Sequence, residues 1–314
     1  MTRALPFVLL VACGLSLPRP PDAGADAGAS PDAGTEVDAG ADAGGAQPDP
    51  LVLARPFGLV VPAGYTGATP VPLVVLLHGY TATAASQDAY FRLSQLAQER
   101  TFLLALPNGT VDERGQQFWN ATDACCGFGK TVDDVAYLTA VIDDVKARYA
   151  VDPKRVFLVG HSNGGFMSHR LACDRASRIA GIVSLAGAAW ADPSRCSPSE
   201  PVSVLQVHGS LDAIIRYDGG SVGIGAPPYP AAVDTVGAWA VKNGCTGAAL
   251  APVAGNLDLV GDLPLAETER AAFGGCPPGG AAELWTIRGG GHLPAFNASW
   301  APALYDWLLA HPKP

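Results

Sequence analysis

The sequence predicts an α/β protein: one mostly parallel, doubly wound sheet with helices on both faces. Three observations predict it. Short apolar runs alternate with helix-length amphipathic runs from about residue 51 onward. The apolar runs are continuous, as in strands buried on both faces. The chain has 314 residues and is 48% hydrophobic, which suits one large domain better than two small ones.

The elements follow in order. Runs at 71–77, 102–106, 155–159, 179–185 and 202–207 read as buried strands, and 284–287 as a shorter one. Helical patterns fill 87–100, 132–149, 164–175, 231–242 and 300–309. For the second of these, Thr131 is the predicted N-cap. Asp133 and Asp134 are first-turn acids facing the positive end of the helix dipole. Right-handed crossovers between such strands place helices on both faces. Ligands then bind beyond the carboxyl ends of the strands.

The N-terminal segment has another character. Arg3 followed by the apolar stretch 4–12 reads as an export signal, too short to remain as a membrane span. It ends Leu10-Val11-Ala12-Cys13, which resembles the bacterial lipobox and makes Cys13 the candidate lipid carrier. Residues 14–50 repeat Pro/Ala-Asp-Ala-Gly and bury too little apolar surface to offset chain entropy. The predicted organisation is therefore a lipoprotein-type signal at 1–13, a disordered tether at 14–50 and a catalytic domain at 51–314. Net charge is −9, and no basic patch interrupts it. Nucleic acid is excluded as a partner on that basis, and a membrane is expected only through the lipid anchor.

Gly160-His161-Ser162-Asn163-Gly164 has the G-x-S-x-G form, with an apolar β-branched run before it and a helical run after it. A serine on such a strand-to-helix turn points its Oγ outward. Small flanking residues allow the close backbone approach. Ser162 is the predicted nucleophile. A serine hydroxyl needs a base. In the α/β-hydrolase arrangement, an acid and then a histidine follow the serine along the chain. Six histidines are present. His78 and His161 precede Ser162, His169 lies mid-helix as a surface or packing residue, His208 ends a strand and His311 is in the tail. His292 follows the last strand in Gly289-Gly290-Gly291-His292, where glycines free a loop to carry an imidazole over the sheet. Asp212, just past the strand ending at His208, is the predicted acid; Asp218 lies further along a Gly-rich loop. The oxyanion donors are expected to be the backbone N–H groups of Asn163 and of Tyr80 in Leu77-His78-Gly79-Tyr80. The His78 side chain is expected to brace that loop.

Seven cysteines are present. With Cys13 set aside, Cys125, Cys126, Cys173, Cys196, Cys245 and Cys276 form an even set, which in an exported protein suggests three disulfides. Adjacent Cys125 and Cys126 are expected to pair outward, not with each other. No spacing has the form of a zinc site, so no metal and no cofactor are expected.

Taken together, these segments resemble the secreted esterases grouped with polyhydroxybutyrate depolymerases and feruloyl esterases, relatives of carbohydrate esterase family 1. The similar segments are 77–79, Trp119-Asn120 with Cys125-Cys126-Gly127, Val132-Asp133-Asp134-Val135 and Gly160–Gly165. His208-Gly209-Ser210 with Asp212, Tyr217-Asp218-Gly219-Gly220, Trp239, Asn243-Gly244-Cys245 and Gly289–His292 complete them. The resemblance implies an α/β-hydrolase fold acting on carboxylic esters, with Ser162, Asp212 and His292 as triad. It also implies a Cys245–Cys276 disulfide. Leu293 stands where the family usually has an aromatic, and Arg216 where a proline often precedes the tyrosine; both bear on the substrate.

The function read from these residues is an exported serine esterase working through an acyl-enzyme on small or oligomeric esters of feruloyl, acetyl or hydroxyalkanoate type. Trp119, Tyr217 and Leu293 are the candidate pocket residues. A serine peptidase of the same fold and a non-catalytic surface binding lipoprotein are the alternative readings.

Overall fold

The computed structural model describes residues 47–126 and 131–314. The lipobox, Cys13 and nearly all of the repeat tether lie outside them.

Among the described residues nine strands form the central sheet: β1 (Gly58–Val60), β2 (Val71–Leu77), β3 (Leu103–Leu106), β4 (Val151–His161), β5 (Gly181–Leu185), β6 (Ser203–Gly209), β7 (Leu250–Leu257), β8 (Thr268–Phe273) and β9 (Ala282–Ile287). Their spatial order is β1-β3-β2-β4-β5-β6-β9-β8-β7. The run from β3 to β9 is parallel. β1 closes one edge antiparallel, and β8 and β7 extend the other the same way. The helices are α1 (Pro50–Ala54), α2 (Ala84–Phe91), α3 (Leu93–Arg100), α4 (Asp134–Arg148), α5 (Asn163–Asp174), α6 (Ala232–Asn243) and α7 (Trp300–Leu309).

Side-chain alternation divides each buried strand between two cores. Leu73, Val75 and Leu77 of β2 pack with α4 and α5 on one face. Val74 and Leu76 pack with α2, α3 and α7 on the other. In β4, Val156 and Leu158 join the first core, Phe157 and Val159 the second. A continuous apolar run is what a strand covered on both faces requires.

Three expectations need correction. The helical pattern at 87–100 is two helices, because Arg92 adopts φ 59° and breaks the run. Asp88 closes the break, its carbonyl accepting from the Arg92 N–H and its carboxylate from the Ser94 N–H. The N-cap of α4 is Asp133, which accepts from the Ala136 N–H at 2.9 Å; Thr131 lies outside the helix. Asp134 is fully buried: the Arg55 guanidinium reaches it at 2.7 Å and the Asn120 N–H at 2.7 Å. Burial pushes its carboxyl pKa up, against the pull of Arg55. Cys125 bonds Cys126 directly; Cys173 pairs with Cys196 and Cys245 with Cys276, which leaves no outward partner among the described residues.

Candidate active site

β4 ends at His161 and α5 begins at Asn163, so Ser162 must turn the chain in one residue. It does so at φ 53°, ψ −120°, a conformation that a non-glycine residue adopts only under constraint. The Ser162 N–H donates to Leu185 O at 2.8 Å, and its carbonyl accepts from Phe166 N at 3.0 Å, so the turn is tied to both β5 and α5. A Cβ on Gly164 would lie 2.2 Å from Leu77 O, and one on Gly160 would lie 2.2 Å from Gly164 O. The motif glycines let α5 start directly against the ends of β2 and β4.

Asp212 follows β6 in a turn that its own carboxylate organises. Oδ1 accepts from the Ile214 and Ile215 N–H groups at 2.8 and 2.9 Å. Oδ2 accepts from His292 Nδ1 at 2.8 Å, and His208 Nε2 stands 3.6 Å away. Burial alone would raise the Asp212 pKa; the His292 contact and the Ile214 N–H outweigh it and hold the carboxyl below its ordinary value. With Nδ1 engaged by Asp212, the nitrogen left to His292 for exchange with a hydroxyl is Nε2.

His292 is brought beside the nucleophile's strand by His161. His161 Nε2 donates to the His292 carbonyl at 3.0 Å, and the two rings lie 4.9 Å apart. That donation places the His161 proton on Nε2. Burial lowers its pKa to about 3, so the ring stays neutral. The structure thus joins His292 to Asp212 directly and to Ser162 through the preceding residue. Among the described residues no hydrogen bond joins Ser162 Oγ to His292.

The loop carrying Tyr80 runs past the same point: a Cβ on Gly79 would stand 3.4 Å from Ser162 Cβ. His78 locks this loop. Its Nδ1 donates to Gly79 O at 2.8 Å and its Nε2 accepts from the Gly109 N–H at 2.9 Å. Burial lowers its pKa to about 4. Asn163 begins α5, where first-turn N–H groups have no partner within the helix. Its side chain is occupied elsewhere, accepting from Trp119 N at 2.7 Å and donating to Trp119 O at 2.9 Å.

Trp119, expected in the substrate pocket, is fully buried. Its indole Nε1 donates to His78 O at 3.0 Å, so it braces the 78–80 loop from beneath. Tyr217 is half-buried, its hydroxyl 2.9 Å from Thr286 Oγ1. Leu293, next to His292, is 67% exposed, as are Leu211 at 71% and Ile214 at 63% on either side of Asp212. Exposed apolar side chains therefore flank Asp212 and His292 along the chain. Among the described residues no group of three or more His, Cys, Asp or Glu is placed to hold a metal ion. Sequence reasoning passed over His161 and His208. His161 is the last residue of β4 and His208 the last but one of β6, at the carboxyl ends of the strands where ligands bind, and that position was the available signal.

A serine turning the chain between strand and helix, with an imidazole–carboxylate pair at the carboxyl ends of the same mostly parallel sheet, is the arrangement of the α/β-hydrolase fold. Residues 56–197 match the family model described as Esterase PHB depolymerase. Over that segment the chain is similar to the polyhydroxybutyrate depolymerase family, and its curated relatives include feruloyl esterases. Feruloyl esterase B of Piromyces equi is 29% identical over 237 residues, 74% of this chain and 41% of that protein. Feruloyl esterase C of Emericella nidulans is 30% identical over 173 residues, 53% of this chain and 58% of that protein. The chain spans about half the length of these curated relatives. Among solved structures, an acetyl xylan esterase from Aspergillus awamori aligns with a TM-score of 0.54 at 16% identity, covering 80% of this chain and 92% of that one, a likeness of fold.

Proposed function

We propose that this protein is an exported serine esterase that hydrolyses carboxylic esters through Ser162, His292 and Asp212. The observation that carries the reading is the 2.8 Å His292–Asp212 contact at the sheet edge where Ser162 turns the chain. Asp212 holds the proton of His292 on Nδ1, which leaves Nε2 free to take the Ser162 proton. Oγ then attacks the ester carbonyl carbon. The carbonyl oxygen gains the negative charge and is held by the N–H groups of Asn163 and Tyr80. The C–O bond to the alcohol breaks, and the alcohol leaves with the proton from His292. Water, deprotonated by the same imidazole, attacks the acyl carbon; the bond to Ser162 Oγ breaks, Oγ takes the proton back from His292, and the acid is released.

The relatives' names support acyl groups of feruloyl or acetyl type. The exposed Leu211, Ile214 and Leu293 support an ester with an apolar portion. Three disulfides and the lipobox-like start support an extracytoplasmic location. Turnover of short-chain aryl esters by Ser162→Ala is expected to fall at least about 10³-fold, with loss of fluorophosphonate labelling. Near-wild-type turnover by that variant would end the proposal.

A further inference from the structure

Asp212 Oδ2 faces two imidazoles, and the proposed reaction uses only His292. Behind the other, His208, lies a buried polar chain that the reaction leaves untouched. Trp239 Nε1 stands 2.9 Å from His169 Nδ1, and His169 Nε2 stands 3.1 Å from Gln206 Oε1. Gln206 Nε2 is 2.9 Å from Gly187 O and 3.1 Å from His208 Nδ1. His208 Nε2 is 2.7 Å from Ile215 O, and the Ile215 N–H is one of the two that hold Asp212. Trp239, His169, Gln206 and His208 are at most 1% exposed, and they come from α6, α5 and β6.

The donor inventory places every proton in this chain. An indole N–H only donates, so His169 Nδ1 accepts and its proton is on Nε2. That proton goes to Gln206 Oε1. The two Gln206 amide hydrogens go to Gly187 O and His208 Nδ1. His208 therefore carries its proton on Nε2 and donates it to Ile215 O. A carbonyl only accepts, so the far end agrees with the near end. Turning the Gln206 amide over would set NH₂ against the His169 N–H and oxygen against Gly187 O, two buried conflicts. A second proton on His208 would face the Gln206 NH₂.

We propose that Trp239, His169 and Gln206 are positioning residues that hold His208 as the neutral Nε2–H tautomer, leaving the whole Asp212 carboxylate to His292. The proposal rests on the Ser162–His292–Asp212 reading. A charged His208, 3.6 Å from Oδ2, would compete for that carboxylate and set a cation beside the imidazolium that catalysis forms. The groups facing His208 are Asp212, His292 and the Tyr217 ring, 5.7 Å away. Burial and His292 disfavour the charge on His208; the Ile215 carbonyl and the Asp212 carboxylate oppose them, and burial prevails.

Imidazole nitrogen NMR on the whole protein tests this independently of turnover. His208 and His169 are expected to show a protonated Nε2 and a bare Nδ1 from about pH 5 to 8. An Nδ1–H at His208, or its titration within that range, overturns the proposal. Gln206→Glu replaces the donor to His208 Nδ1 with an acceptor. His208 is then expected to charge and kcat to fall at least about tenfold with KM little changed. The acid limb of kcat/KM should move to lower pH. A folded Gln206→Glu with charged His208 and wild-type kcat also overturns it. If that variant does not fold, the wild-type tautomers still decide. Undiminished turnover in Ser162→Ala refutes the serine reading instead and leaves the tautomers unchanged, so the two failures are distinct.

Discussion

At the scale of single residues, the site depends on which atoms carry protons. Asp212 offers Oδ1 to two backbone N–H groups and Oδ2 to His292. In Asp212→Asn the amide oxygen can keep the Ile214 and Ile215 bonds, so the turn survives. The amide NH₂ then faces His292 Nδ1 and drives the imidazole proton to Nε2, where it cannot accept from serine. Turnover of an aryl ester is expected to fall about 10³–10⁴-fold with the thermal midpoint little changed. Activity within about threefold of wild type would show that Asp212 does not set the tautomer. The turn at Ser162 and the pairing of Asp212 with His292 were legible in the sequence because a motif and a chain order point to them. His161, Gln206 and His169 were not. Their partners lie 131, 37 and 70 positions away along the chain, separations with no periodic signature.

At the scale of elements, the core strands were the most legible. The expected run 71–77 coincides with β2, and the others differ from the observed strands only at their ends. Both faces of these strands are covered, so hydrophobicity alone marks them. β1, β7 and β8 went unseen because they lie at or next to a sheet edge, partly exposed, without a sustained apolar run. The ends of β2 and β4 and the middle of α5 bury His78, His161 and His169. Burial lowers their pKa values from 6.5 to about 4, 3 and 4. In each case the unfolded chain binds the proton more tightly. Their neutral burial is therefore free of penalty above pH 6.5, and stability falls as pH drops from there toward 4. Each imidazole removes up to about 1.4 kcal/mol per pH unit in that window. The thermal midpoint is expected to drop by several degrees between about pH 7.5 and 5, before most carboxylates titrate. A flat midpoint across that interval would mean these rings are solvated or charged in the folded state.

At the scale of the whole molecule, the reading of the start of the chain rests on composition and pattern alone. Residues 14–50 are read from composition, and Cys13 from a short pattern. Protein carrying residues 1–314, made in a bacterium that lipidates exported proteins, is expected to partition into detergent, and Cys13→Ala into the aqueous phase. Equal partitioning of the two would refute the anchor.

The sequence by itself determined the fold class, the buried strands and the identity of the serine turn, because burial periodicity and local turn geometry are properties of neighbours along the chain. Only the tertiary structure decided that Cys125 bonds Cys126, that Trp119 is a brace and that Asp134 is gripped by Arg55. It alone also set a second imidazole beside Asp212. Those outcomes rest on distances across strands and on a finite supply of donors and acceptors, which exist only once the sheet has assembled.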